Sequence, residues 1–158
     1  MNNSPSFLTL VVASLCACCL AASADEDPEP DTWRVLETGE YSNIQEATHE
    51  IINSEADWQE WWQRHNTVRE FVDGQERIPA PPEVDFSKET VLIATLGMRS
   101  TGGYAVEFAD VKTEGEMVVA KLKTKSPGPD DMVTMALTAP YAIIAIPKHE
   151  GPVKFCDS

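Results

Sequence analysis

The chain is short of positive charge: 12 Lys and Arg stand against 26 Asp and Glu, a formal net charge of −14 over 158 residues. An acidic surface repels a phosphate backbone, and basic patches supply most nucleic-acid affinity, so no nucleic-acid partner is expected. The same sign argues against docking on anionic lipid by charge. Metal patterns are missing as well. His49, His65 and His149 form no HxxxH or HExxH pairing, and no CxxC accompanies them outside residues 1–24, since Cys16, Cys18 and Cys19 all fall within that segment and Cys156 stands alone; no metal or other cofactor is expected. No P-loop or dinucleotide fingerprint occurs, and Ser100 misses the GxSxG spacing of a nucleophile elbow. With no nucleophile–base pair visible, the chain reads as a protein that is not an enzyme.

Charge is also absent from one whole segment. None of the 38 charged residues falls within residues 1–24. The apolar run from Phe7 to Ala22 is too short to span a bilayer comfortably, and Ala22-Ser23-Ala24 is a small-x-small cleavage signature. Residues 1–24 therefore read as a signal peptide. Leu15-Cys16-Ala17-Cys18 also resembles a lipobox with Cys18 as the lipidated residue, which leaves two routes open: cleavage after Ala24, or lipid on Cys18. Both place the protein outside the cytoplasm, in the periplasm or cell envelope. A membrane is expected as a partner only through such an anchor. Residues 25–32, Asp-Glu-Asp-Pro-Glu-Pro-Asp-Thr, combine like charge with two prolines and read as a disordered linker. Residues 33–158 form a single domain. Cleavage after Ala24 leaves Cys156 as the one thiol, so this domain folds on its core without an internal disulfide.

What the domain does contain is strand patterning. Trp33–Thr38, 46–53, Val91–Leu96, 104–108, Met117–Leu122, Pro140–Ile146 and Val153–Cys156 read as strands, with a hairpin turn at Glu114-Gly115. Ser54 reads as a helix N-cap ahead of Glu55 and Asp57. Trp58, Trp61, Trp62 and His65 then follow at i, i+3, i+4 and i+7 on one helix face. Three indoles there can serve as a binding platform or as a core plug, and the plug is favoured because a short helix needs large side chains to dock. Residues 71–84, with Pro79, Pro81 and Pro82, read as loop. The expected fold is α+β and mostly β: an antiparallel, sandwich-like domain with one Trp-rich helix packed at its edge.

One loop draws attention: Gly97-Met98-Arg99-Ser100-Thr101-Gly102-Gly103-Tyr104, three glycines and a cation between two strong strands. Exposed N–H groups beside Arg99 can grip a carboxylate or a peptide carbonyl. The other reading is architectural, a tight connection that glycine makes possible. Both readings stay open.

The stretch Val91–Tyr104 resembles the PrcB C-terminal domain family, with its apolar strand, glycine, polar step and Thr-Gly-Gly-Tyr-type turn. Ser126-Pro127-Gly128-Pro129, Ala136-Leu137-Thr138-Ala139-Pro140-Tyr141 and the strand ending Ile146-Pro147 continue the likeness across 91–147. The resemblance implies a protein associated with a bacterial surface protease, binding it without activity of its own. Arg99–Tyr104 is also similar, more weakly, to the loop that chagasin-like cysteine-protease inhibitors present to their targets. The expected partner is therefore a protease or another envelope protein. Expected partner-binding residues are Arg99, Ser100, Thr101, Gly102, Gly103 and Tyr104, with Pro140 and Tyr141 beside them. The alternatives are a structural envelope protein with no protease partner and a protease inhibitor.

Overall fold

A computed structural model describes residues 32–67 and 70–157. The expected signal peptide, the Cys18 lipidation site and the acidic linker up to residue 31 lie outside the described residues. The described residues form nine strands and one helix: β1 Arg34–Gly39, β2 Ala47–Ile52, α1 Glu55–His65, β3 Glu70–Val72, β4 Gln75–Arg77, β5 Glu89–Leu96, β6 Ala105–Glu114, β7 Met117–Lys125, β8 Tyr141–Pro147 and β9 Val153–Asp157. It is an α+β fold that is mostly β. A four-stranded antiparallel sheet in the order β1-β8-β5-β2 faces a three-stranded sheet in the order β6-β7-β9. β9 departs from the antiparallel expectation, lying parallel to β7. The chain leaves β7, crosses to the other sheet for β8, and returns to place β9 on the open edge.

The continuous apolar runs of β5 and β8 follow from their position. They are the two central strands of the larger sheet, paired with Leu92 opposite Ile144 and Ile93 opposite Ile143, and both of their faces are covered. Leu92, Ala94, Ala142, Ile144 and Ile146 pack against Val106, Phe108, Val111, Val118, Ala120 and Leu122 of the second sheet. Val91, Ile93, Tyr141 and Ile143 face the other way, onto Trp58, Trp61 and Trp62. Strand alternation alone would put Val111 on the solvent side of β6, since Val106 and Phe108 are already inward. A bulge between Phe108 and Asp110 inserts the extra residue that turns Val111 back to the core.

Ser54 caps α1 as its chemistry dictates, its hydroxyl accepting from the Asp57 amide at 3.2 Å. The helix packs on the outer face of the larger sheet, as the Trp-rich helix of the expected fold. The reason is the three indoles. They are all buried, and the flat surface of β5 and β8 offers the contact area they need. Their polar ends are satisfied: Trp58 Nε1 donates to the Pro82 carbonyl at 3.1 Å, Trp62 Nε1 to that of Pro79 at 2.7 Å, and Trp61 Nε1 to Glu50 Oε1 at 3.2 Å. The Trp face is thus core and presents no platform.

Residues 71–84 are not all loop. β3 and β4 form a small hairpin, with Glu70 opposite Arg77, around Asp73 and Gly74 at φ 53° and 76°. An Asp-Gly pair with both residues at positive φ is the turn that matches strand twist. Its strands are exposed throughout, so they lack the burial pattern that marks a strand in sequence.

Candidate docking site

The 97–104 loop sits at the end of the sandwich where β5 ends and β8 begins. Gly97 opens it at φ 68°, and a Cβ there would lie 2.7 Å from the Gln45 carbonyl oxygen and the Ala47 nitrogen. From that point the loop is laced to the segment ahead of β8. The Arg99 amide donates to the Thr138 carbonyl at 2.7 Å and the Thr138 amide donates back to Arg99 at 3.0 Å. Gly102 N–H donates to the Thr134 carbonyl at 3.0 Å, and the Thr138 hydroxyl donates to the Thr101 carbonyl at 2.8 Å. Met98 N–H donates to the Gln45 carbonyl at 2.9 Å, which ties the same loop to the chain entering β2.

These bonds answer the question of what the loop amides do. Met98, Arg99 and Gly102 donate inward, so they do not form an anion-gripping row. Gly102 is buried against the Thr134 side chain. Gly103 stands at φ 86°, with Val133 and Pro127 closing over the place a Cβ would occupy. Both glycines hold the loop in shape.

The expected site residues therefore divide. Arg99, Thr101, Gly103 and Tyr104 are half-buried, Ser100 is exposed and Gly102 is buried. The Arg99 guanidinium carbon lies 5.4 Å from the centroid of the Tyr104 ring, within cation–π range. Pro140 and Tyr141 do not join them at the surface. Both are buried, and Leu96 N–H donates to the Pro140 carbonyl at 2.9 Å. Tyr141 turns towards α1 and donates its hydroxyl to Glu37 Oε1 at 2.6 Å. Burial, and then that bond, hold its phenol well above the usual tyrosine range. These two residues support the loop from below.

Sequence reasoning missed the segment alongside. Met132 and Met135 are almost wholly exposed, Leu137 is largely exposed and Met98 is half exposed. The Arg99–Thr138 and Gly102–Thr134 bonds bring the backbone of residues 134–138 beside that of residues 99–102, so Met98, Met135 and Leu137 are exposed on two hydrogen-bonded segments, with Met132 just ahead of the second. The signal was present as Met and Leu in a stretch without strand or helix periodicity, where burial was not required.

The histidines are separate. His65 is buried against Trp61 and Tyr141, His49 stacks on Phe155 at 4.7 Å, and His149 Nε2 lies 3.2 Å from the Pro152 carbonyl. Among the described residues no three His, Cys, Asp or Glu side chains converge as a metal site.

No curated protein and no solved structure matches the chain. The family model described as PrcB C-terminal matches residues 90–147, which run from β5 through β8 and include the whole 97–104 loop and the segment laced to it. Over that stretch the chain carries the PrcB C-terminal domain pattern that its sequence resembles.

Proposed function

We propose that this chain is an exported, non-catalytic protein-binding domain, held in the envelope with a protease as its partner, and that it docks through the 98–104 loop and the 132–138 segment beside it. The observation that carries this reading is the exposure of Met98, Met132, Met135 and Leu137 on two segments that hydrogen bonds hold side by side. Exposed apolar side chains gathered in one place mark interaction surfaces, and methionine is suited to them because its flexible thioether adapts to a partner. The family match supports a protease as the partner class, and the same segments lie inside residues 90–147.

The test is crosslinking of the tagged full-length protein in its native envelope, followed by mass spectrometry. Gly102 and Gly103 are unsuitable sites for the control variant, because replacing them distorts the loop. A Met135→Asp/Leu137→Asp double variant changes only exposed side chains. A protease crosslinked to residues 98–104 or 132–138 in the wild type, and lost in the variant with an unchanged melting temperature, supports docking. Recovery of the bait alone, or equal recovery from both forms, overturns it in favour of a structural envelope protein. The intact mass from the same sample separates cleavage after Ala24 from lipid on Cys18.

A further inference from the structure

We infer that Arg99 is the anchor for a single carboxylate, an Asp or Glu side chain set among apolar residues in an extended segment of the partner. The inference rests on the docking reading above and specifies its chemistry. Arg34, Arg64 and Arg77 each reach an acceptor of this chain: Glu89 at 2.8 Å, Glu50 at 3.1 Å and Gln75 at 3.5 Å. Arg99 does not. Its Nε is buried with no hydrogen-bond partner among the described residues, in a chain with 26 carboxylate side chains to draw on. The residue as a whole is only half-buried, so the terminal nitrogens of a guanidinium with no acceptor among the described residues stay open to one from another molecule.

The surroundings say which acceptor fits. A guanidinium is a planar fork that matches a carboxylate by two parallel hydrogen bonds. Here the fork is already oriented by the Tyr104 ring and by the two backbone bonds that fix Arg99 to Thr138, so less side-chain freedom is lost on binding. Met98 and Leu137 are exposed one residue away from Arg99 and Thr138 in the chain, with Met132 and Met135 exposed in the same segment as Thr138, so apolar neighbours of the acid meet apolar surface nearby. Net charge −14 sets the upper limit on acidity. A polyanion meets long-range repulsion from the whole domain, whereas one carboxylate among apolar residues meets mainly the local cation.

The test uses a phage-displayed library of random peptides, whose internal display offers side-chain carboxylates and no free C-terminus. The full chain is the bait, and selection runs in parallel on wild type, Arg99→Met and Arg99→Lys. The expected result is enrichment of peptides with an Asp or Glu between apolar residues on wild type. A selected peptide should bind Arg99→Met at least about tenfold more weakly. Changing its acid to Asn or Gln should weaken wild-type binding equally and leave Arg99→Met binding unchanged, the non-additivity of a direct pair. Arg99→Met should also melt no lower than wild type, because it removes an unsatisfied donor and keeps the apolar stem. Peptides enriched without an acid and bound equally by Arg99→Met overturn the carboxylate while leaving docking intact. No enrichment on wild type overturns both. A marked fall in melting temperature for both Arg99 variants, without loss of peptide binding, assigns Arg99 to the architecture and overturns the inference.

Discussion

His65 and Tyr141 meet edge to face, their ring centroids 4.3 Å apart and their planes at 70°. The contact joins the last residue of α1 to the first residue of β8. From there the Tyr141 hydroxyl reaches Glu37 on β1, and His65 Nδ1 lies 2.9 Å from the Ser42 hydroxyl. Helix, central strand and edge strand are thus joined through a ring contact and two part-buried hydrogen bonds at this end of the larger sheet. Such a network specifies a packing only while each member stays in its right protonation state.

The first prediction follows from that condition. Burial pushes His65 down to about 4 from its ordinary 6.5. The unfolded chain takes up the proton near pH 6.5, while the folded chain resists it until about pH 4. The stability linked to His65 is therefore complete above pH 6.5 and lost progressively as pH falls towards 4, by at most about 3 kcal/mol. Melting temperatures recorded across this window should fall on acidification, and His65→Phe should flatten that slope. An unchanged slope in the variant would remove His65 from the account.

The second concerns the indole layer. Trp58 is fully buried between Trp61 and Trp62, with ring centroids at 5.8 and 5.5 Å. Trp58→Ala leaves a cavity against β5 and orphans the Pro82 carbonyl, and should cost about 3–5 kcal/mol. Trp58→Phe keeps most of the volume and should cost less than half as much. Chemical denaturation of both variants checks the ranking.

How much of this was legible in the sequence depends on what each residue does. The strand runs of β5 and β8, the Ser54 cap and the burial of Trp58, Trp61 and Trp62 were legible because burial imposes a period on the chain. The β3–β4 hairpin was not read, since Phe71 and Val72 are exposed and carry no burial pattern. The Asp73-Gly74 pair was its available signal. At the site, the loop was found from its glycines and cation, but the roles came out differently. Pro140 and Tyr141 stand in sequence at the start of a strand, as expected contacts beside the loop, yet both are buried, Tyr141 where β8 pairs between β1 and β5. Arg99 lacking an acceptor is a relation between distant segments, which no local pattern encodes.

The third prediction separates loop geometry from loop contact. Gly97→Ala places a Cβ in left-handed backbone and against the Gln45 carbonyl, two costs at once. The left-handed conformation alone costs roughly 1–2 kcal/mol, and the clash must be relieved by moving β2. The variant should lose more than 2 kcal/mol in denaturation, and its amide exchange should rise along Gln45–Ala47. Met98→Ser, next in the chain and half exposed, should change stability by less than about 0.5 kcal/mol.

The fourth concerns the opposite end of the larger sheet, where Arg34 holds the start of β5. Its Nε and one terminal nitrogen donate to both oxygens of Glu89, at 2.8 and 2.9 Å, and it also reaches the Glu83 carbonyl at 2.9 Å. The Arg34 hydrogen bond outweighs burial and keeps the Glu89 carboxyl below the usual carboxylate range. The sign is opposite in origin to an unpaired acid: the stabilisation is present above the unfolded value near 4.5 and disappears as pH falls through the lowered folded value. Half the Arg34 side chain is in solvent, so screening limits the pair to about 1 kcal/mol even with forked geometry. Arg34→Gln should therefore lower stability by about that amount at neutral pH. It should also remove the most acidic part of the pH profile without touching the part between pH 6.5 and 4 that belongs to His65. A variant that alters the His65 window instead would mean that β1, pinned by Arg34 at one end and by Tyr141 through Glu37 at the other, transmits strain along its length.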